Sequence, residues 1–519
     1  MVLVHQNYSS FFKKILHLLL FFIAFLPAVS VQAQNNEIIS QNFVLSGDIS
    51  VENGTKLITE LEAYRTAMLH IANIPYRTEA EKIPILVLKD QQEFSDVTGN
   101  EWASGVYVRA INGYMFVMLS GENLEVTQAA KHIAVHEYTH HFFSTYAPEG
   151  KAQWYHEGLA EYYSSFEILP NGEFKMGKAL AMHQYVLNQS GWLTMIDMIN
   201  SLVEYPKMDP FNRGLGASQI DFFYAQSWLM VHYLQNHPNM QTRFEEFLST
   251  VNSLENTVAL FEQTIGMTPL EFEDVLRDYL KQNEFRTKSY TLPPSSGGVN
   301  VEVRALSESS RAVKLLSAMS IFGNLRDNEE KTETLFAIAE VDANTEVDIL
   351  LLKVMIDLEL YNNDAALLKL SEVKKLDYNN AKALFFIGLA KLNKSMEIPI
   401  ESYADEVKYK TAIKTARGFI MKSMTMDANL MGPKCMYAIS STLAGKKPDE
   451  LAVTSAEICA KFLHGRQFAR QNLSLVPTLI HGEKYLLARN IIKYGLEMDD
   501  KYIRETARDY SFELEAAQE

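Results

Sequence analysis

A chain of 519 residues is long enough for two or three domains, and 47% hydrophobic with 22% charged residues is the balance of a globular protein with full cores. The 48 Lys and Arg face 64 Asp and Glu, a formal charge of −16. That sign, with no basic patch standing out, argues against a nucleic-acid partner.

The first residues read as a targeting segment. Lys13 and Lys14 precede the apolar run ILHLLLFFIAFLPAV, and SVQAQ then supplies small residues, the layout of a secretory signal cut near Ala33/Gln34. The run is short for a spanning helix and contains Pro27. No cysteine follows it, and no later segment reaches the roughly 18 apolar residues that a span needs. The expectation is an exported chain, periplasmic or extracellular, with residues 1–33 removed and no stable membrane span. The cut removes two lysines and no acid, so the formal charge deepens from −16 to −18.

Residues 34–125 read as an α/β part. GTKLITELEAYRTAMLHIA (54–72) is helical in pattern, and KIPILVLKD (82–90) is a short buried strand. QQEFSDVTG suits a short helix, and GVYVRAINGYMFVML (105–119) suits two strands around an Asn-Gly turn. Residues 126–288 read as helical, with LEVTQAAKHIAVHEYTHHFFSTYA free of Gly and Pro and FFYAQSWLMVHYLQN (222–236) a later helix. SYTLPPSSGGVN (289–300) holds two prolines, two glycines and three serines in twelve positions and reads as a linker.

From 301 to 519 helix pairs take over. The phrase around Asp342 returns at Asp377, 35 positions on, then at Asp427 and more faintly at Asp499. A period near 34 with two helices per unit suggests a tetratricopeptide-like helical array, a surface for a protein partner or a long substrate. Cys435 and Cys459 lie 24 positions apart, and they either pair or remain two buried thiols.

The chemistry concentrates in His136-Glu137-Tyr138-Thr139-His140. Residues four apart share a helix face, so both imidazoles can reach one ion. Glu137, about 100° further round, can instead take a proton from a metal-activated water. His141 points off the ligand face. His132 lies a further turn back, too far along the axis for the same ion, and reads as a supporting or surface group. Downstream, WYHEGLAEY offers Glu157 and Glu161 on one helical face, so one can bind metal while the other steadies a ligating histidine. His156 faces away from Glu157.

HEYTH followed by WYHEGLAEY resembles the gluzincin metallopeptidases, the thermolysin and aminopeptidase N group of the peptidase MA-like clan. The resemblance spans roughly residues 80–285 and implies one Zn²⁺ per chain, held by His136, His140 and Glu157. It implies Glu137 as catalytic base and Glu161 as the acid behind a ligating histidine. The stretch from Tyr224 to Leu234 resembles the aminopeptidase N-type helix whose leading tyrosine stabilises the oxyanion, a role that falls to Tyr224. The aminopeptidases also carry a G-x-M-E-N segment whose acid grips a free amine. The equivalent region here lacks a glutamate, which favours an endopeptidase. The strand YMFVML (114–119) is then the expected edge on which an extended peptide pairs.

The expected fold is therefore an α+β metallopeptidase domain, a small mixed sheet plus a helical active-site subdomain, followed by an all-α helical-repeat domain. Two other readings stay open: a peptidase-like helical-repeat protein that only binds peptides, and a zinc hydrolase of a non-peptide amide or ester.

Overall fold

In the computed structural model, residues 35–120 (except 80 and 102), 128–146, 152–200 (except 170), 218–250, 257–291 and 299–518 (except 444, 446, 464–468, 497 and 499) are described. The secretory segment expected at residues 1–33 lies outside them. Asn35–Glu519 forms one compact unit, a mixed-sheet part followed by a mostly helical remainder.

The chain opens with a hairpin, β1 (Asn35–Ile39) and β2 (Phe43–Asp48), that the sequence reading left unassigned. Helix α1 (Val51–Ile71) starts at Ser50, whose side chain accepts from the Asn53 N–H. Strand β3 (Ile83–Leu88) follows, then α2 (Gln91–Thr98), capped by the Asp90 side chain and closed by Gly99 in the left-handed region at φ 71°. Strands β4 (Gly105–Ala110) and β5 (Gly113–Leu119) form the expected hairpin.

IPILVL of β3 is apolar throughout because both of its faces are covered. Ile83, Ile85 and Val87 join the core beneath α1, while Leu86 and Leu88 face α2 and a later helix over Glu308–Phe322. Strand order in this six-stranded sheet is β4-β5-β3-β2-β1-β9, the last being Glu302–Ala305, with β2, β3 and β5 mutually parallel and the other pairings antiparallel. One expectation is corrected here. The edge strand on this side is β4, Gly105–Ala110, and YMFVML lies inside the sheet between β4 and β3, because β5 runs parallel to β3 and pairs with it.

Next come α3 (Gln128–Tyr146) and α4 (Gln153–Tyr163), then a short hairpin, β6 (Glu167–Ile168) and β7 (Glu173–Met176). Helices α5 (Ala181–Leu187), α6 (Met195–Asn200), α7 (Gln219–Asn236), α8 (Pro238–Thr250), α9 (Thr257–Ile265) and α10 (Pro269–Gln282) complete this region. Capping boxes start α7 at Ser218/Asp221 and α10 at Thr268/Glu271.

The expected linker 289–300 begins inside a strand. β8 (Lys288–Thr291) pairs with β7, residues 292–298 lie outside the described residues, and β9 (Glu302–Ala305) returns to pair with β1. The linker-like composition gave no sign of the strands on either side of it.

Helix pairs then succeed one another: α11 (Glu308–Phe322), α12 (Glu329–Ala339), α13 (Glu346–Glu359), α14 (Asn363–Leu376), α15 (Ala381–Met396), α16 (Tyr403–Met426), α17 (Met431–Ile439) and α18 (Glu450–Phe462). Beyond them lie α19 (Ala469–Leu473), α20 (Val476–His481), α21 (Tyr485–Leu496) and α22 (Lys501–Gln518). The recurring aspartates mark turns between helices. Asp342 accepts from the Asn344 N–H at 2.9 Å, Asp377 from the Asn380 side chain at 3.0 Å, and Asp427 from the Asn429 N–H at 2.9 Å. Asp499 lies outside the described residues. Cys435 and Cys459 are joined in a disulfide that staples α17 to α18. Among the described residues no helix is long and apolar enough to cross a membrane.

These helices are fastened to the sheet rather than tethered to it. Arg311 of α11 reaches Asp48 at 2.7 Å and both oxygens of Glu93 at 2.8 and 2.7 Å, all largely buried. Asn112, in the β4–β5 turn, donates to the Ser320 backbone oxygen at 3.2 Å, and Ile111 beside it packs against α17 and α15 cores. Removing one partner of a buried ionic group leaves the others uncompensated. Arg311→Ala is therefore expected to lose about 3–5 kcal/mol of stability in urea unfolding. A loss under about 1 kcal/mol, the size of an exposed ion pair, would show that the triad does not hold the junction.

Candidate metal centre

Helix α3 carries the histidines because its opposite face is apolar and aromatic. Ala134, Val135, Tyr138 and Phe142 enter the core, and Thr139 is pinned to α1 through a 2.7 Å hydrogen bond with the Tyr64 hydroxyl. His136 and His140 are thereby turned toward α4. Helix α4 comes close because Gly158 permits it: a Cβ there would stand 2.3 Å from the Ser227 carbonyl oxygen of α7. The glycine of WYHEGLAEY thus lets α4 lie against α7 with Glu157 and Glu161 buried toward α3.

Three atoms converge. His136 Nε2 and His140 Nε2 lie 3.1 Å apart, and Glu157 Oε2 is 3.4 Å from the first and 3.3 Å from the second. Zinc bonds of about 2.0–2.1 Å at tetrahedral angles place ligand atoms about 3.3 Å from one another, so this triangle fits three of the four positions around such an ion. Gln153 donates to the other Glu157 oxygen at 2.8 Å, which fixes the carboxylate plane.

The far nitrogen of His136 is also engaged. Glu161 Oε1 is 3.2 Å from His136 Nδ1. A carboxylate at that nitrogen assigns the ring proton to Nδ1 and leaves the Nε2 lone pair aimed at His140 and Glu157. A second grouping of His132, His136 and Glu161 is also close enough to hold a cation. It would need the nitrogen that Glu161 already occupies, so the His136–His140–Glu157 triangle is the better ligand set.

Electrostatics in the absence of a metal follow the same geometry. Burial alone would push the His136 imidazole down, but the Glu161 charge and hydrogen bonds to Glu157 and Glu161 hold it well above its usual value. Burial would raise Glu157, and the His140 charge with bonds from both histidines holds it far below the carboxylate range. Glu161 is likewise held far down against burial, by the His136 charge and by bonds from His132, His136 and His183. The proton on His136 thus sits where an ion would bind, and metal uptake must release it.

The remaining expected residues take these places. Glu137, on the same helix but off the ligand face, accepts the Tyr107 backbone N–H of β4 at 2.9 Å through Oε2. Tyr224, in the second turn of α7, is half-buried with its ring centroid 6.2 Å from that of His136. His132 Nε2 is 3.2 Å from Glu161 Oε2. His141 is buried in the core, its Nδ1 2.8 Å from the Tyr107 hydroxyl, and so is packing rather than surface. His156 is half-buried and belongs to neither metal-capable group.

Three participants escaped the sequence reading: Gln153, the Tyr107 backbone, and His183 of α5, whose Nε2 is 2.8 Å from Glu161 Oε2. Gln153 lies four before Glu157, and helical spacing alone could have nominated it. A backbone donor leaves no mark in residue identity, and His183 stands in no motif.

Further along α7, His232 is buried with Nε2 2.9 Å from the Gly177 carbonyl oxygen and Nδ1 2.9 Å from the Tyr279 hydroxyl. Burial pushes it down to about 4. An unfolded histidine titrates near 6.5, so between those values the unfolded chain binds a proton that the folded chain refuses. Stability should fall as pH drops from about 6.5 toward 4, by up to about 1.4 kcal/mol per unit from this residue, and then level. Urea midpoints at pH 7.5, 6 and 5 should decline less steeply in His232→Gln than in wild type; parallel declines would reject the assignment.

No protein family, curated protein or solved structure matches the chain, so its side chains alone must say what it does.

Proposed function

We propose that the chain is an exported zinc metallopeptidase of the gluzincin kind that cleaves internal peptide bonds. The observation that carries this reading is the triangle of His136 Nε2, His140 Nε2 and Glu157 Oε2 at 3.1–3.4 Å, with Glu137 beside it and Glu161 behind His136. A bound zinc ion supplies Lewis-acid polarisation of a carbonyl and brings the pKa of water to near 7.

The chain's own groups do the rest. Glu137 removes a proton from the attacking water and delivers it to the leaving amine nitrogen. Its Oε2 is held by the Tyr107 N–H, and Oε1 takes no hydrogen bond among the described residues, which suits it to a moving proton. Tyr224 donates its hydroxyl to the developing oxyanion, a role its place beside His136 supports. The peptide lies extended along β4, an edge strand of the sheet, and Asn112 in the turn after it meets Ser320 of α11. The helices from α11 onward, a tetratricopeptide-like array, offer a surface for a protein substrate or partner. The Cys435–Cys459 disulfide suits an oxidising, exported location.

Peptides blocked at both ends separate this reading from its rivals. The zinc-loaded mature chain should cut N-acetylated, C-amidated library peptides internally and stop when a chelator is added. Cleavage of only free-ended peptides would make it an exopeptidase, and no cleavage by the zinc-loaded chain would leave a binding protein or a non-peptide hydrolase.

A further inference from the structure

Glu161 serves more than His136. While Oε1 lies 3.2 Å from His136 Nδ1, Oε2 lies 2.8 Å from His183 Nε2 and 3.2 Å from His132 Nε2. One buried carboxylate from α4 is thus gripped by two histidines of α3 and one of α5. Helix α5 presents Met182 and Tyr185 to solvent, 69% and 63% exposed, while His183 between them turns inward, its ring 5.7 Å from Trp228 of α7.

We propose that His183 and His132 are positioning residues of the metal centre, acting through Glu161 on the His136 imidazole. A carboxylate held only by His136 can rotate about its terminal torsion and let the ring swing. Two donors on Oε2, from α5 and from the preceding turn of α3, fix the plane of the carboxylate and thereby the direction of the His136 Nε2 lone pair. Hydrogen bonds to an ionised carboxylate are the strong kind, and partners beyond the ligands govern metal affinity. The 2.8 Å contact from His183 is a direct hydrogen bond, and an ion held by His132, His136 and Glu161 would need the His136 nitrogen that Glu161 already engages, so this second cluster holds the first in place rather than holding an ion of its own. The inference rests on the zinc reading of that triangle.

The test is zinc affinity of the full mature chain by chelator competition, read beside the melting temperature of the metal-free protein. His183→Ala should weaken zinc binding about tenfold and His132→Ala by less, with His183→Gln, which keeps an N–H donor, restoring most of it. In a Glu161→Gln background, His183→Ala should add no further loss, because its effect runs through that carboxylate. Unchanged zinc affinity in His183→Ala, with or without a lowered melting temperature, overturns the inference. So does a wild-type stoichiometry of two zinc ions that falls to one in His183→Ala, which would make the cluster a second metal site. Zinc absent from the wild type defeats the metal reading itself and this inference with it, whereas zinc present but unmoved defeats the inference alone.

Discussion

Glu137→Gln should keep its zinc and lose about 10³-fold in turnover on casein or a blocked peptide, the scale of a lost general base. The amide is nearly the same size and can still meet the Tyr107 N–H through its carbonyl oxygen, so the helix and the His136–His140 pair should be undisturbed. What it cannot do is accept a proton from water. The expected signature is a fall in kcat with little change in KM, because the carboxylate acts on the reacting atoms and not on substrate binding. A variant as active as wild type would reject Glu137 as the base. Loss of zinc together with activity would show instead that the carboxylate holds the site's shape.

Glu157→Ala is expected to have the larger effect on the metal. It removes one of the three proposed ligand atoms and unbinds the Gln153 side chain that fixes it. Losing a partner beyond the ligands typically weakens affinity 10–100-fold, so losing a ligand itself should weaken zinc binding by more than about 100-fold. The same variant relieves a desolvated carboxylate and leaves His136 with Glu161 as its nearest charge. The metal-free protein should consequently stay folded, which circular dichroism can check. Undiminished zinc in Glu157→Ala would dismiss the ligand triangle.

How much of this was legible beforehand differs by residue, for physical reasons. His136, Glu137 and His140 could be placed on two faces of one helix because helical spacing is local and regular. Spacing put Glu157 and Glu161 on one helical face and a resemblance divided their roles, and the structure brings both to the histidines of α3. The edge strand was misassigned to YMFVML because strand order depends on pairing between distant segments, here β5 with β3, and alternation along one strand does not reveal it. The return of β9 to β1 was hidden for the same reason, behind a linker-like composition. His183 lies 22 positions beyond Glu161 on a different helix, and only the folded chain brings the two within 2.8 Å. The pairing of Cys435 with Cys459 stayed open in the sequence, since spacing alone cannot say whether two helices lie side by side.

The most direct test of the central claim is metal analysis of the purified mature chain combined with zinc-edge X-ray absorption. About one zinc per chain is expected, four-coordinate, with only nitrogen and oxygen ligands at about 2.0–2.1 Å and two of them imidazole. A chain that takes up no zinc, or one whose zinc shows sulfur ligands or a single imidazole, would contradict it.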